Sequence, residues 1–192
     1  MKKRYILGAA LVICMLLVPV AGTAAFFTQA ETAHNVITTG SVKIQLQEFT
    51  DQKDQGGNPL PFVSPVKVMP GEKVSKIVQV KNTGSGEAWV RLALTPEFTE
   101  LTPQEGFTPQ THMVTLHINH QDWEKGEDDF LYYKYALKPN ETTSPALSAL
   151  TFSEEMGTEY QNCRFILDVQ AQGVQVKNNG ETGLSADGWP EM

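Results

Sequence analysis

Short runs of alternating apolar and polar residues dominate the chain from Gly40 onward. In the first run Val42, Ile44 and Leu46 share one side of an extended chain, and polar residues share the other. Comparable runs recur between clusters of Gly, Pro and Asn, at 74–80, 88–94, 114–118 and 163–169. A two-residue period in many short runs is typical of strands in a sandwich or barrel. The pattern therefore predicts an all-β domain.

The segment Lys73 to Leu94 carries the clearest local prediction. Two alternating runs flank the turn-forming stretch Lys81 to Gly86, which predicts a hairpin. The stretches Phe49 to Pro61 and Thr95 to Gln110 lose the alternation and are predicted as irregular loops. A last long strand is expected from about Asn162 to Gln172, followed by a polar tail.

The N-terminus has the pattern of a secretory signal. Lys2 to Arg4 are positive, Tyr5 to Val20 are apolar, and small residues lead to Ala25. The competing interpretation is an uncleaved membrane anchor, because about 20 apolar residues can span a bilayer. Pro19 favours a cleaved leader since it breaks a helix. We predict cleavage between Ala25 and Phe26, a signal peptide at 1–25, an arm at 26–37, a β-sandwich at 38–176 and a tail at 177–192.

Charge and cysteine content narrow the function classes. The net charge is −7, and removal of Lys2, Lys3 and Arg4 leaves twelve basic against 22 acidic residues. Such an acidic chain is a poor candidate for binding nucleic acid or an anionic membrane. Cys14 lies in the leader, so the cleaved chain keeps only Cys163 and forms no internal disulfide. Cys163 is predicted to be a buried structural thiol.

No recognised catalytic pattern stands out in the sequence. Of the four histidines, His117 and His120 are separated by an odd number of residues, so in a strand they point to opposite faces. The histidine-rich helix of a metalloprotease, the Cys-x-x-Cys pair, the nucleophile elbow and the phosphate loop are all missing. We therefore predict a non-enzymatic protein without metal or cofactor.

Several motifs, taken in order, resemble one family of exported proteins. They are the junction Gly22–Thr28, the strand start Thr39–Val42, the turn Met69–Glu72 and the connection Lys81–Ser85. In sequence and spacing these resemble the TasA and camelysin family, from the leader to about Leu94. Gln29 departs from the usual family pattern, which has Asp there. The resemblance implies a jelly-roll or Ig-like antiparallel β-sandwich preceded by a signal peptide helix, a SipW-type signal peptidase, and a secreted, surface-associated biofilm matrix protein that forms fibres.

The resemblance also suggests how subunits would associate. After cleavage the arm is extended and moderately apolar, and strand addition to a neighbouring subunit would satisfy its backbone. The arm residues that we expect to matter are Phe26, Phe27, Ala30, Val36 and Ile37. Two alternatives remain open at this stage: a camelysin-like secreted metallopeptidase, and a surface adhesin that does not assemble. Other matrix proteins are further possible partners.

Overall fold

The computed structural model describes residues 27–31, 34–38, 42–100 and 105–190, and these residues form twelve strands. In chain order the strands are β1 Phe27–Glu31, β2 His34–Thr38, β3 Ile44–Lys53, β4 Pro59–Pro61, β5 Val66–Val68, β6 Lys73–Asn82, β7 Ala88–Glu100, β8 Val114–Ile118, β9 Trp123–Lys125, β10 Leu131–Tyr133, β11 Leu147–Phe152 and β12 Cys163–Gln175. Short 3-10 helices at Thr111–Met113 and Thr158–Asn162 precede β8 and β12. None of the described residues belongs to a helix long and apolar enough to cross a membrane. The predicted leader lies outside the described residues.

The strands form two sheets that enclose one main apolar core. Sheet A has the order β5-β1-β12-β7-β10-β9, with β2 also paired to β12, and sheet B has the order β4-β3-β6-β11-β8. Almost every neighbouring pair is antiparallel, and the exceptions are β1 and β2, which run parallel to β12. The prediction of an all-β sandwich is confirmed.

Residues of alternating parity from the two sheets fill the core. On β12 the inward side chains are Cys163, Phe165, Leu167, Val169 and Ala171, all nearly inaccessible to water. They face the buried side chains Val74, Val78 and Val80 of β6 and others from sheet B. The prediction that Cys163 is buried is confirmed, with an exposed fraction of 1%.

The predicted hairpin between Lys73 and Leu94 is wrong. The residues do form two strands with the predicted faces, but β6 belongs to sheet B and β7 to sheet A. The connection between them crosses from one sheet to the other, and the buried Asn82 holds it. The Asn82 amide nitrogen donates to the carbonyls of Gly86 (2.8 Å) and Leu137 (2.9 Å), and its oxygen accepts from the Gly84 amide (2.9 Å).

Two segments predicted as loops are strand over much of their length, although 105–110, the end of the second, is irregular as predicted. β3 continues through Lys53 and returns as β4, so most of the stretch 49–61 is a hairpin whose turn is stabilised by the Asp54 carboxylate. β7 likewise continues to Glu100, because all thirteen of its residues pair with β12. Tertiary pairing therefore outweighs the polar and proline-containing local sequence.

The C-terminal segment folds back over the outer face of sheet A. Trp89 and Val174 on that face form a small second apolar cluster with Ala186, and Trp189 packs against it. The Trp89 ring nitrogen donates to the Asn179 carbonyl at 3.0 Å. The segment predicted as a polar tail is thus part of the folded domain up to residue 190.

Candidate assembly site

The N-terminal arm lies inside sheet A. β1 pairs with β12 on one side, through Thr28 and Arg164, and with β5 on the other, through Phe27 and Val68. Both backbone edges of β1 are therefore used. Within sheet A β1 is an interior strand, whereas the one partner of β2 among the described strands is β12.

β2 continues the same arrangement farther along β12. Its five residues pair in unbroken parallel register with Val169 to Gly173. β1 has a register irregularity between Thr28 and Ala30, whereas β2 has none. Together β1 and β2 cover one edge of β12, and β7 covers the other edge along its full length.

Four of the five predicted arm residues lie on β1 and β2, and three of them pair directly with β12. Phe27 pairs with Val68, Ala30 with Phe165 and Val66, Val36 with Ala171, and Ile37 with Gln172. Phe26 and the predicted cleavage position at Ala25 lie outside the described residues. The sequence predicted an extended arm, and the structure adds which strand it pairs with and in which direction.

An aromatic cluster supports the beginning of β12. Phe165 makes edge-on contacts with Phe98 (centroids 5.1 Å apart) and Phe152 (5.7 Å), and Phe98 contacts Tyr160 at 5.4 Å. The Tyr160 hydroxyl accepts a hydrogen bond from the Gln110 amide at 3.1 Å. Side chains from β7, β11 and the Thr158–Asn162 helix therefore pack on the beginning of β12 in addition to the arm.

Close approach of sheet B fixes the other end of β12. A Cβ placed on Gly173 would lie 3.1 Å from Val42 Cγ1 and 3.2 Å from Ile44 Cγ2, which is tighter than ordinary packing. A glycine there lets the start of β3 lie directly over β12. Packing therefore holds β12 in place at both ends, and the arm pairs with one edge of this fixed strand.

A buried ion pair sits on the core side of sheet B. Lys76 Nζ lies 2.8 Å from Glu48 Oε2, with side chains that are 1% and 4% exposed, and the ammonium lies 4.1 Å from the centre of the Phe62 ring. Desolvation by burial lowers the pKa of Lys76, and the carboxylate of Glu48 partly offsets this. Sequence parity could have revealed the pair, since Lys76 shares the face of Val74 and Val78.

Arg91 joins the C-terminal segment to sheet A. Its Nε donates to Gln172 Oε1 (2.8 Å), its Nη1 to Asp128 Oδ2 (2.9 Å) and the Tyr132 hydroxyl (2.8 Å), and its Nη2 to the Pro190 carbonyl (3.2 Å). The guanidinium also lies between the rings of Phe130 (3.8 Å) and Trp189 (4.6 Å). Nothing in the sequence pattern pointed to this cluster.

The described residues contain no group of three or more His, Cys, Asp or Glu side chains that could hold a metal ion. His117 lies on the outer face of sheet B, where its Nε2 is 2.8 Å from the Thr151 hydroxyl. His112 and His120 are exposed. What the described residues do offer is backbone pairing along the edge of β12.

Comparison with known proteins leaves the family open. No family model, no curated protein and no solved structure matches this chain. The resemblance to the TasA and camelysin family therefore remains a prediction based on the motifs quoted above.

Proposed function

We propose that this is an exported structural protein whose copies assemble into fibres by placing the arm of one copy in sheet A of the next. The observation that carries the proposal is the position of β1, between β12 and β5 with partners on both edges. A chain whose arm leaves this place exposes unpaired backbone groups on two strands. An identical arm from a neighbour is the one segment certain to fit them.

The exchange conserves the contacts within the sheet. The neighbour's arm would form the same parallel pairs with β12, from Val169–His34 to Gly173–Thr38. Each backbone hydrogen bond contributes only about 0.5–1.5 kcal/mol net, and the same number forms in either arrangement. The choice between the two arrangements then depends on protein concentration and on the chain between arm and domain.

The geometry of such an exchange favours filaments. The donating surface is the arm and the accepting surface is the edge of β12, so the contact joins two different surfaces. Such a contact repeats without closing unless its rotation happens to form a ring. Fibres in an extracellular, surface-associated matrix are the function that this assembly would serve, with other matrix proteins as further partners.

Export and processing would prepare the arm. Cleavage between Ala25 and Phe26 by a SipW-type peptidase would place the new terminus one residue before β1, which begins at Phe27. Before cleavage the apolar leader would hold the arm at the membrane, which is the only membrane contact that we propose. Removal of the leader would thus make the arm available for exchange.

A disulfide test distinguishes exchange between copies from pairing within one copy. Asn35 and Gln170 are direct partners in the parallel register of β2 and β12, a geometry compatible with a disulfide. We place Asn35→Cys in one chain and Gln170→Cys in a second chain of different length, both with Cys163→Ala. The two proteins are mixed, concentrated, oxidised and separated by non-reducing electrophoresis.

We expect a covalent heterodimer from the mixture and a ladder of multimers when both cysteines are in one chain. Negative-stain electron microscopy should show filaments in the same samples. The matched control pairs Asn35→Cys with Lys177→Cys, an exposed position away from the arm edge, and should give no heterodimer. Only internally bridged monomer from the double variant, without filaments, would rule out arm exchange.

The same material tests the two alternative functions. Zinc content together with chelator-sensitive casein cleavage would support a metallopeptidase. Ligand binding by a protein that stays monomeric at high concentration would support an adhesin.

A further inference from the structure

The outward-facing rows of β3 and β6 in sheet B carry more lysines than carboxylates, although the chain as a whole carries a net charge of −7. Lys73 and Lys81 point outward at the two ends of β6, and Lys43 is exposed just before β3. Asp51 is the one acidic side chain in the same outward-facing rows of β3 and β6. We call Lys43, Lys73 and Lys81, with the residues between them, the lysine face.

The centre of the lysine face is apolar. Phe49 and Ile77 are direct partners there and both are half-buried. Next to them the Gln79 side-chain amide donates to Gln47 Oε1 at 3.1 Å. An apolar centre with charges at its margin is the usual anatomy of a protein contact surface.

The complementary charge lies on the hairpin formed by β9 and β10. This hairpin carries Glu124, Glu127, Asp128 and Asp129. Lys125 neutralises Asp129 at 2.7 Å and Arg91 neutralises Asp128 at 2.9 Å. Glu124 and Glu127 are exposed and have no cationic partner among the described residues.

An open groove of about 260 Å³ runs beside the hairpin. Glu124, Tyr132 and Leu184 are among its lining residues. Leu184 is 46% exposed, and so is a nearby aromatic, Tyr135, at 55%. The acidic hairpin therefore also has apolar surface beside it, which matches the composition of the lysine face.

The two surfaces cannot neutralise each other within one molecule. β3 and β6 belong to sheet B, and their lysines point away from the core. The hairpin belongs to the other sheet, sheet A, where β10 and β9 form the edge beyond β7. Contact between the surfaces requires two molecules, and because the surfaces differ the contact can repeat from one molecule to the next.

We propose that the lysine face docks on the acidic hairpin and groove of a second copy of this chain, and that this contact holds neighbouring fibres side by side. The docking of one copy on another does not depend on the proposed function. Only its role in bundling fibres rests on that proposal. It uses side chains on the outside of the sandwich, whereas the arm exchange uses the backbone edge of β12.

A polyanionic polymer is the other conceivable partner, and the charge distribution argues against it. Lys73 and Lys81 are eight residues apart on one strand, which corresponds to roughly 26 Å at about 3.3 Å per residue. Polyanion binding draws its strength from several cations that contact successive phosphates. The separated lysines of this face, on an acidic protein, provide too little charge density for that.

Charge reversal tests the contact on filaments of the full exported chain. Lys73→Glu with Lys81→Glu, and separately Glu124→Lys with Glu127→Lys, should each give single filaments where the unaltered protein gives bundles. Salt of about 0.5 M should also separate the bundles, because the Debye length falls below 5 Å. Mixing the two charge-reversed proteins should restore bundles.

The matched control is Lys67→Glu with Lys177→Glu, two exposed lysines of which the first lies on β5 in sheet A and the second follows β12, so the net charge changes equally without altering the lysine face. It should leave bundling unchanged to within about twofold, measured as the pelleted fraction at low centrifugal force. Bundling that survives the Lys73 and Lys81 reversals, or a mixture that fails to bundle, would overturn the inference. So would loss of binding to heparin or DNA as the sole effect of the reversals.

Failure of the proposed function gives a different result. If the unaltered protein forms no filaments, arm exchange is wrong, and docking is then read from salt-sensitive self-association by sedimentation velocity. The lysine-reversed protein should self-associate at least tenfold more weakly than the control variant. Equal self-association of the two would exclude the docking contact.

Discussion

Replacement of Arg91 should release the C-terminal segment from sheet A. Arg91 is buried, and its guanidinium donates four hydrogen bonds while stacking on two rings. Arg91→Met keeps the aliphatic packing but removes every donor. It leaves the Gln172 side-chain oxygen, on a fully buried residue, without the donor that now satisfies it.

The contacts allow the cost to be worked out. Hydrogen bonds to a charged group contribute about 1.5–3 kcal/mol each but do not add fully when they share one donor group. The ion pair with Asp128 contributes little to the free energy of unfolding, since the Asp128 side chain is 44% exposed and water replaces the lost partner. The expected loss is about 3–4 kcal/mol for Arg91→Met and about 2 kcal/mol for Arg91→Lys, which keeps the charge without the planar fork.

Urea unfolding followed by tryptophan fluorescence would measure these losses. A double-mutant cycle with a chain ending at residue 176 isolates the contribution of the C-terminal segment. We expect Arg91→Met to cost at least 1 kcal/mol less in the shortened chain, because the Trp189 and Pro190 contacts are already gone. Equal costs in the two chains, or a loss below about 1 kcal/mol in the full chain, would refute the assigned role of Arg91.

Three further predictions concern stability. Asn82→Ala should lower the free energy of unfolding by about 2–4 kcal/mol, because the buried Leu137 carbonyl loses its side-chain donor; urea midpoints compared with Asn179→Ala, which is less buried, would check this. Lys76→Met alone should cost about 3–5 kcal/mol by leaving the Glu48 carboxylate without its ammonium, whereas Lys76→Met with Glu48→Leu should recover most of that; an unrecovered double variant would contradict the assignment. Burial raises the pKa of the Cys163 thiol, with Glu100 and Glu159 adding to the effect, so its stabilising contribution is complete below the unfolded pKa near 9.0 and is lost as pH rises through the folded pKa. Cys163→Ala should therefore lose less stability than the unaltered protein as the pH rises above about 9, and parallel losses would show that the thiol is not responsible.

Alternation along the sequence identified the strand faces well because side-chain parity is a local property. The inward face of β7 and the burial of Cys163 both follow from it. Which strands pair with each other could not be predicted in this way, because every strand edge presents the same backbone groups. The stretch 81–86 has the composition of a hairpin turn, yet the amide of Asn82 holds it as a crossing between sheets.

For the candidate site, too, the sequence predicted the local conformation but not the pairing. The sequence indicated that the arm is extended, because Val36 and Ile37 suit a strand. Its parallel pairing with β12 depends on a strand near the far end of the chain and could not be read locally. The Arg91 cluster was missed for a related reason, since its partners Asp128, Gln172 and Pro190 are distant in sequence and meet only after folding.

The parallel pairing of β1 and β2 with β12 has a consequence for the order of events in a new chain. The strands β3 to β11 separate the arm from β12 in the chain, so during synthesis the arm has no β12 of its own to pair with until all of them have been made. Pairing within the molecule must also close a loop of nearly the whole domain, and the entropy cost of a loop grows with its length. Wherever many chains emerge close together, a finished neighbour with an open β12 edge would be encountered first. Local crowding at the site of release would then decide whether a chain joins a polymer or closes on itself.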